Sequence, residues 1–141
     1  MARSGSTNQT VQITAQTFSL QDRVALFTGN VEAHQLPRDS TEPRMRCAEL
    51  EVRLAANKRH AESLQARQQV ICERGLVGVT NGPADTLYTR MDSETLTAHI
   101  DPATEELVDL TAGGGVRLKR SELTAQGDKA VYTRADQLLK L

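Results

Sequence analysis

Tryptophan is absent, and aromatic residues make up only 3% of the chain. A platform that stacks bases or sugars needs more of them. Neither sign of charge is in excess, since 17 Lys and Arg face 18 Asp and Glu for a net charge of −1. Without a basic excess, nucleic acid is not expected as the main partner. No run approaches the roughly 18–20 apolar residues of a membrane span. Residues 1–10 lack the apolar segment of a secretory signal. Taken alone, that favours a cytosolic protein, whereas the C-terminus supports a mature domain cut from a longer precursor. Two cysteines, Cys47 and Cys72, lack the close pairing of a zinc site.

Catalytic signatures are missing too. There is no acyl-transfer nucleophile motif, no paired-carboxylate setting and no metal-ligand cluster. His34, His60 and His99 lie far apart, at expected strand ends and turns, and read as solvent-exposed. Gly113-Gly114-Gly115 is not followed by the Lys-Ser/Thr pair of a phosphate-binding loop. Strand alternation follows it instead, so it reads as a turn or bulge. The chain is therefore expected to be a non-enzyme without a cofactor.

What is present is a moderately apolar chain of 141 residues, 38% hydrophobic and 25% charged. That suits a single soluble globular domain. Residues 1–9 are small and polar and read as a disordered leader, leaving a domain over 10–141. Within it the chain alternates. Ala48–Leu54 places an apolar residue at every second position, the mark of a strand with one buried face. Phe27–Ala33, Thr95–Ile100 and Val116–Leu118 do the same. Turn signals separate these runs, among them Asn57-Lys58, Asn81-Gly82-Pro83 and Asp101-Pro102. Short strands at regular spacing predict an all-β fold.

Residues 44–70 compete with this reading, because they are rich in helix formers. Internal repeats decide against a helix. A shift of 46 lays residues 52–72 on 98–118 and matches Leu64 with Leu110, Ala66 with Ala112 and Val70 with Val116. The second copy contains Asp101-Pro102, which does not continue a helix, so both copies are read as hairpins. A shift of 44 lays 79–92 on 123–136 with five identities, including Tyr88-Thr89-Arg90 on Tyr132-Thr133-Arg134. These tripeptides are candidate headgroup contacts, or simply repeated surface positions. Thr14-Ala15-Gln16 returns as Thr124-Ala125-Gln126. After that third echo the chain stops at Leu141, where a further repeat should follow, so truncation at the C-terminus is expected.

Alternation assigns an inward face to Phe27, Val31, Leu50, Val52, Leu54, Leu64, Val70, Leu96, Ile100, Leu110, Val116, Leu118, Leu123 and Val131. All but Phe27 are mid-sized aliphatics, and no charge interrupts them. A closed core and an apolar groove would use the same residues, and both readings stay open. The same alternation puts Cys47 outward with Glu49 and Glu51, and Cys72 inward with Val70. A disulfide between opposite faces is not expected.

Ile13-Thr14-Ala15 followed by Ala25-Leu26-Phe27-Thr28-Gly29-Asn30-Val31 resembles a unit of the LptA/OstA family of lipopolysaccharide-transport proteins. Cys47–Val52 and Leu123–Tyr132 are similar. The resemblance spans about residues 11–141 and does not separate LptA, LptC and the N-terminal domain of LptD. It implies an open antiparallel β-roll, shaped like a taco and built of hairpin repeats. It implies a periplasmic location and an apolar interior, formed by the inward set above, that shelters the acyl chains of lipopolysaccharide or a similar lipid. It also implies edge strands that pair with other β-roll transport proteins or, head to tail, as a homo-oligomer. The stretch from Gln35 to Pro43 is longer and more polar than that pattern. The alternative reading is a structural β-repeat scaffold or filament without lipid.

Overall fold

The computed structural model describes residues 10–36, 43–56, 60–74, 89–120, 122–135 and 138–141. Among these residues the chain forms strands and no helix: β1 (Thr10–Thr14), β2 (Thr17–Gln21), β3 (Val24–Leu36), β4 (Arg44–Leu54), β5 (Ala61–Glu73), β6 (Arg90–Ile100), β7 (Leu107–Arg120), β8 (Leu123–Thr133) and β9 (Leu138–Lys140). The segment with helix-forming composition is the β4–β5 hairpin. Its tertiary pairing overrides local propensity. Residues 79–88, ten of the fourteen in the first copy of the 44-residue echo, lie outside the described residues.

Every pairing is antiparallel, and each of β3 to β9 follows its predecessor in space. β1 and β2 lie end to end on the same side of β3, β1 against Glu32–Leu36 and β2 against Val24–Thr28. The order begins at β1 and β2 and ends at β9, without closing into a barrel. The result is one open antiparallel sheet, consistent with a β-roll.

A line of bulges runs across this sheet. β3 uses three steps, Thr28 to Val31, where β4 uses two, Glu49 to Cys47. β5 has one extra residue against both β4 and β6, between Arg67 and Val70. β7 has one extra residue against both β6 and β8, between Gly113 and Val116. At each extra residue the odd strand turns through two successive left-handed positions: Gly29 and Asn30, Gln68 and Gln69, Gly114 and Gly115. Aligned bulges bend every strand at the same level. Gly29 must be glycine here, because a Cβ would collide with the Gln16 side chain.

The crease divides the sheet into two arms. The first holds β2, the start of β3, the ends of β4, β6 and β8, the starts of β5 and β7, and β9. The second holds β1 and the complementary halves. Inner side chains of both arms form one core. Leu96, Met91 and Ala112 are each 0% exposed although the sheet is a single layer. Among the described residues only the opposing arm can cover them, so the sheet is folded over itself. Large and small residues alternate along the inner rows, as in Leu50–Ala66–Leu96–Ala112 across β4 to β7. In the second arm the row is Ala33–Met45–Cys72–Met91 across β3 to β6. Such alternation lets two facing layers interdigitate.

The crease also explains the 46-residue repeat. The inner residues Leu64, Ala66, Val70 and Cys72 of β5 correspond to Leu110, Ala112, Val116 and Leu118 of β7. The left-handed pair Gln68-Gln69 falls on Gly114-Gly115. The triple glycine is thus a bulge inside a strand, as expected.

Candidate functional site

Ten of the fourteen residues assigned inward are buried: Val31, Leu50, Val52, Leu64, Val70, Leu96, Ile100, Leu110, Val116 and Leu118. Phe27 and Leu54 are half-buried and pack against that core. One assignment is corrected, and one residue faces inward without being covered. Val131 lies opposite Thr111 on the outer face, between the buried Ala130 and Tyr132. Leu123, at the start of β8 opposite Arg120, keeps the inner parity of Ala125 and Gly127 but is 73% exposed. The crease explains the error at Val131. The even strands β4, β6 and β8 lack the extra residue, so their inward parity switches as they cross it.

The same switch corrects Cys47. Inward positions on β4 are Met45 and Cys47 before the crease, then Leu50 and Val52 after it. Cys47 and Cys72 therefore both face the core, and both are free thiols. Burial pushes the Cys47 thiol up to about 11. It pushes Cys72, beside Cys47 and Asp92, up to about 12. Both stay protonated and behave as small apolar groups. Tyr132 of the repeated Tyr-Thr-Arg motif is buried, which removes it as a surface headgroup contact. Its counterpart Tyr88 lies outside the described residues.

The interior differs along the sheet. In β4 to β7 the inner side chains of Leu50, Val70, Met91, Leu96 and Val116 are at most 1% exposed. A channel wide enough for an acyl chain would leave them accessible to water, so this part is a dry, packed core. At the β1–β2 end the arms stand apart. A cavity of about 580 Å³ opens there, lined by Val11, Ile13, Thr14, Ala15, Phe18 and Phe27. Phe18 and Phe27 face each other across β2 and β3 with ring centroids 4.9 Å apart. Phe18 is nevertheless 58% exposed and Leu20 55%. The signal for this mouth was present in the alternation Val11-Gln12-Ile13-Thr14-Ala15 and Phe18-Ser19-Leu20. The inward assignment passed over it because it began at Phe27.

The outer faces of the arms carry different chemistry. On the first arm Arg67 binds Glu49, Glu51 (3.1 Å) and Gln65 (2.9 Å). Around it lie hydroxyl residues, Thr95, Thr97 and Thr111. On the second arm Arg90 grips Asp92 through two contacts of 2.7 and 3.1 Å, which raises the guanidinium pKa further. Arg44 meets Glu73 at 3.2 Å. His99 pairs with Asp109 at 2.6 Å and His60 with Glu105 at 3.2 Å. These contacts tie hairpin ends together, and the histidines sit at strand ends and turns. Among the described residues no three His, Cys, Asp or Glu side chains gather as a metal site.

No protein-family model matches the chain, and no curated protein matches it.

Proposed function

We propose that this chain is a periplasmic module that binds and transports lipopolysaccharide or a similar lipid, taking an acyl chain at the β1–β2 mouth. The observation that carries this is the 580 Å³ apolar cavity with Phe18 and Leu20 still exposed at its rim. Its size falls within the usual range of small-ligand sites. Each methylene buried there gains about 0.8 kcal/mol. The packed core of β4 to β7 restricts lipid to the mouth, so Phe27 is the member of the original inward set that touches it. Free edges complete the proposal. Among the described residues β1 and β2 have a neighbour on one side only, and Leu123–Gly127 of β8 extends beyond β9. Unpaired edges are sites for strand addition by another β-roll protein.

Photo-crosslinking with lipopolysaccharide tests this. Probes at Ile13 and Phe18 should crosslink, whereas Gln12 and Ser19, on the outer side of the same strands, should not. Equal labelling at all four positions, or none in folded protein, would sink lipid binding at the mouth. The sealed middle favours one alternative, a scaffold that uses the edges without lipid. In that case association would persist in Phe18→Ser protein and no position would crosslink to lipid.

A further inference from the structure

The outer face of the second arm holds a cluster of cations that the fold does not neutralise. Arg90 and Lys119 are directly paired across β6 and β7, and Asp92 and Arg117 form the next pair of outward residues in that ladder. Cross-strand partners stand about 4.5–5.5 Å apart. Positions i and i+2 on one strand are separated by about 6.7 Å. Arg90, Arg117 and Lys119 are therefore close enough to converge on a single small anion. A depression of about 250 Å³ lies among them, with Asp92 and Thr124 also on its wall.

The charges within it are unequal. Asp92 is held by Arg90 of its own strand. Glu73, on the far side of Arg90, is engaged by Arg44. Arg117 and Lys119 are exposed and, among the described residues, have no side-chain partner. Three cations against one carboxylate leave two positive charges at this spot, in a chain whose net charge is −1. Like charges directly opposite one another on a sheet are destabilising, as Arg90 and Lys119 are here. An anion lying between them would remove that cost. The backbone beneath is fixed, because the Thr89 amide (2.7 Å) and hydroxyl (3.0 Å) both donate to the Lys119 carbonyl.

We infer that Arg90, Arg117 and Lys119 form a binding site for a phosphoryl group, either a soluble phosphate monoester or the phosphate of a lipid headgroup. The site holds two unneutralised positive charges against a dianion. Arg117 offers a planar fork to two phosphate oxygens and Lys119 a point charge. The Thr124 hydroxyl can donate to a third oxygen. Located on the outer face, the site is separate from the mouth and does not depend on lipid entering the fold.

Two probes distinguish the sources of the phosphate. Glycerol 3-phosphate is titrated calorimetrically. Vesicles of phosphatidylcholine, with and without phosphatidic acid, are tested by co-sedimentation. The double variant Arg117→Gln/Lys119→Gln is compared with Arg53→Gln/Lys140→Gln, which removes the same charge from the outer face of the first arm. All four side chains are exposed, so both variants should keep the wild-type circular dichroism. Binding of either probe should weaken at least about tenfold in the first variant and stay near wild type in the second. Lys119→Arg should retain it. Binding of glycerol 3-phosphate points to a soluble ester, and binding of phosphatidic acid vesicles alone to a lipid headgroup. Failure to bind either probe, or equal weakening by both double variants, overturns the assignment.

Discussion

The middle of the roll and its edges are made from the same kinds of residue but serve different ends. In β4 to β7 each strand has a neighbour on both sides, and both arms are long enough to cover each other. Leu96 there is 0% exposed. At β1–β2 and at the start of β8 the cover runs out, and Phe18 and Leu123 are 58% and 73% exposed. The difference is not one of hydrophobicity, since Leu96 and Leu123 are the same residue. Position in the sheet decides whether an inward-type residue becomes core or available surface. A fold of this kind generates apolar binding surface wherever its facing arms end.

The largest expected effect breaks that comparison directly. Leu96→Ala should destabilise the protein by about 2–5 kcal/mol, because it leaves a cavity that packed neighbours cannot fill. Leu123→Ala, the same change at the exposed edge, should stay within about 0.5 kcal/mol. Chemical denaturation of both variants measures the contrast. Similar losses at the two sites would mean that the arms do not end where β8 passes beyond β9.

Thiol ionisation gives the next contrast. Cys47 and Cys72 are raised from 9.0 to about 11 and about 12 in the folded protein. The folded state thus holds these protons more tightly than the unfolded chain. The resulting stabilisation is fully present below pH 9 and is lost as pH rises through the folded values. Above pH 9 each thiol should cost about 1.4 kcal/mol of stability per pH unit until it ionises in the fold. Denaturation midpoints at pH 8 and 10 should therefore diverge in wild type, and less so in Cys47→Ala/Cys72→Ala. Rapid labelling of native protein by a thiol reagent at pH 8 would contradict the sealed middle.

Much of this was legible in the sequence. Alternation identified the strands, and the 46-residue repeat overruled the helical composition of residues 44–70. Ten inward residues were placed correctly because they lie in runs long enough to show their period. The errors cluster at the crease. Cys47 and Val131 were assigned from the parity of residues beyond it, and parity does not survive a register shift. Gly29-Asn30 and Gly114-Gly115 advertise the shift by composition, but Gln68-Gln69 does not. Without the third pair the line of bulges could not be seen to cross the sheet. The β1–β2 mouth was overlooked for another reason. Alternation tells which side a residue faces, not whether anything covers it.

The crease also supplies the smallest and most discriminating effects. Gly114 and Gly115 have φ of +80° and +82°, so alanine at either is strained. Gly115→Ala should cost about 1–2 kcal/mol from the backbone alone, since nothing lies within 4 Å of its new Cβ. Gly114→Ala places a Cβ 2.5 Å from that of Glu94 and should cost about 1 kcal/mol more. Gln69, at φ +56°, is the opposite case. Its side chain already bears the left-handed penalty, so Gln69→Gly should be neutral or stabilising by up to about 1 kcal/mol. Glycine makes the unfolded chain more flexible, which offsets part of the gain. Thermal denaturation would rank the three variants. A loss of stability in Gln69→Gly as large as in Gly115→Ala would mean that Gln69 does not occupy a bulge. The crease would then be confined to β3 and β7, and the matching of β5 to β7 would fail at its central pair.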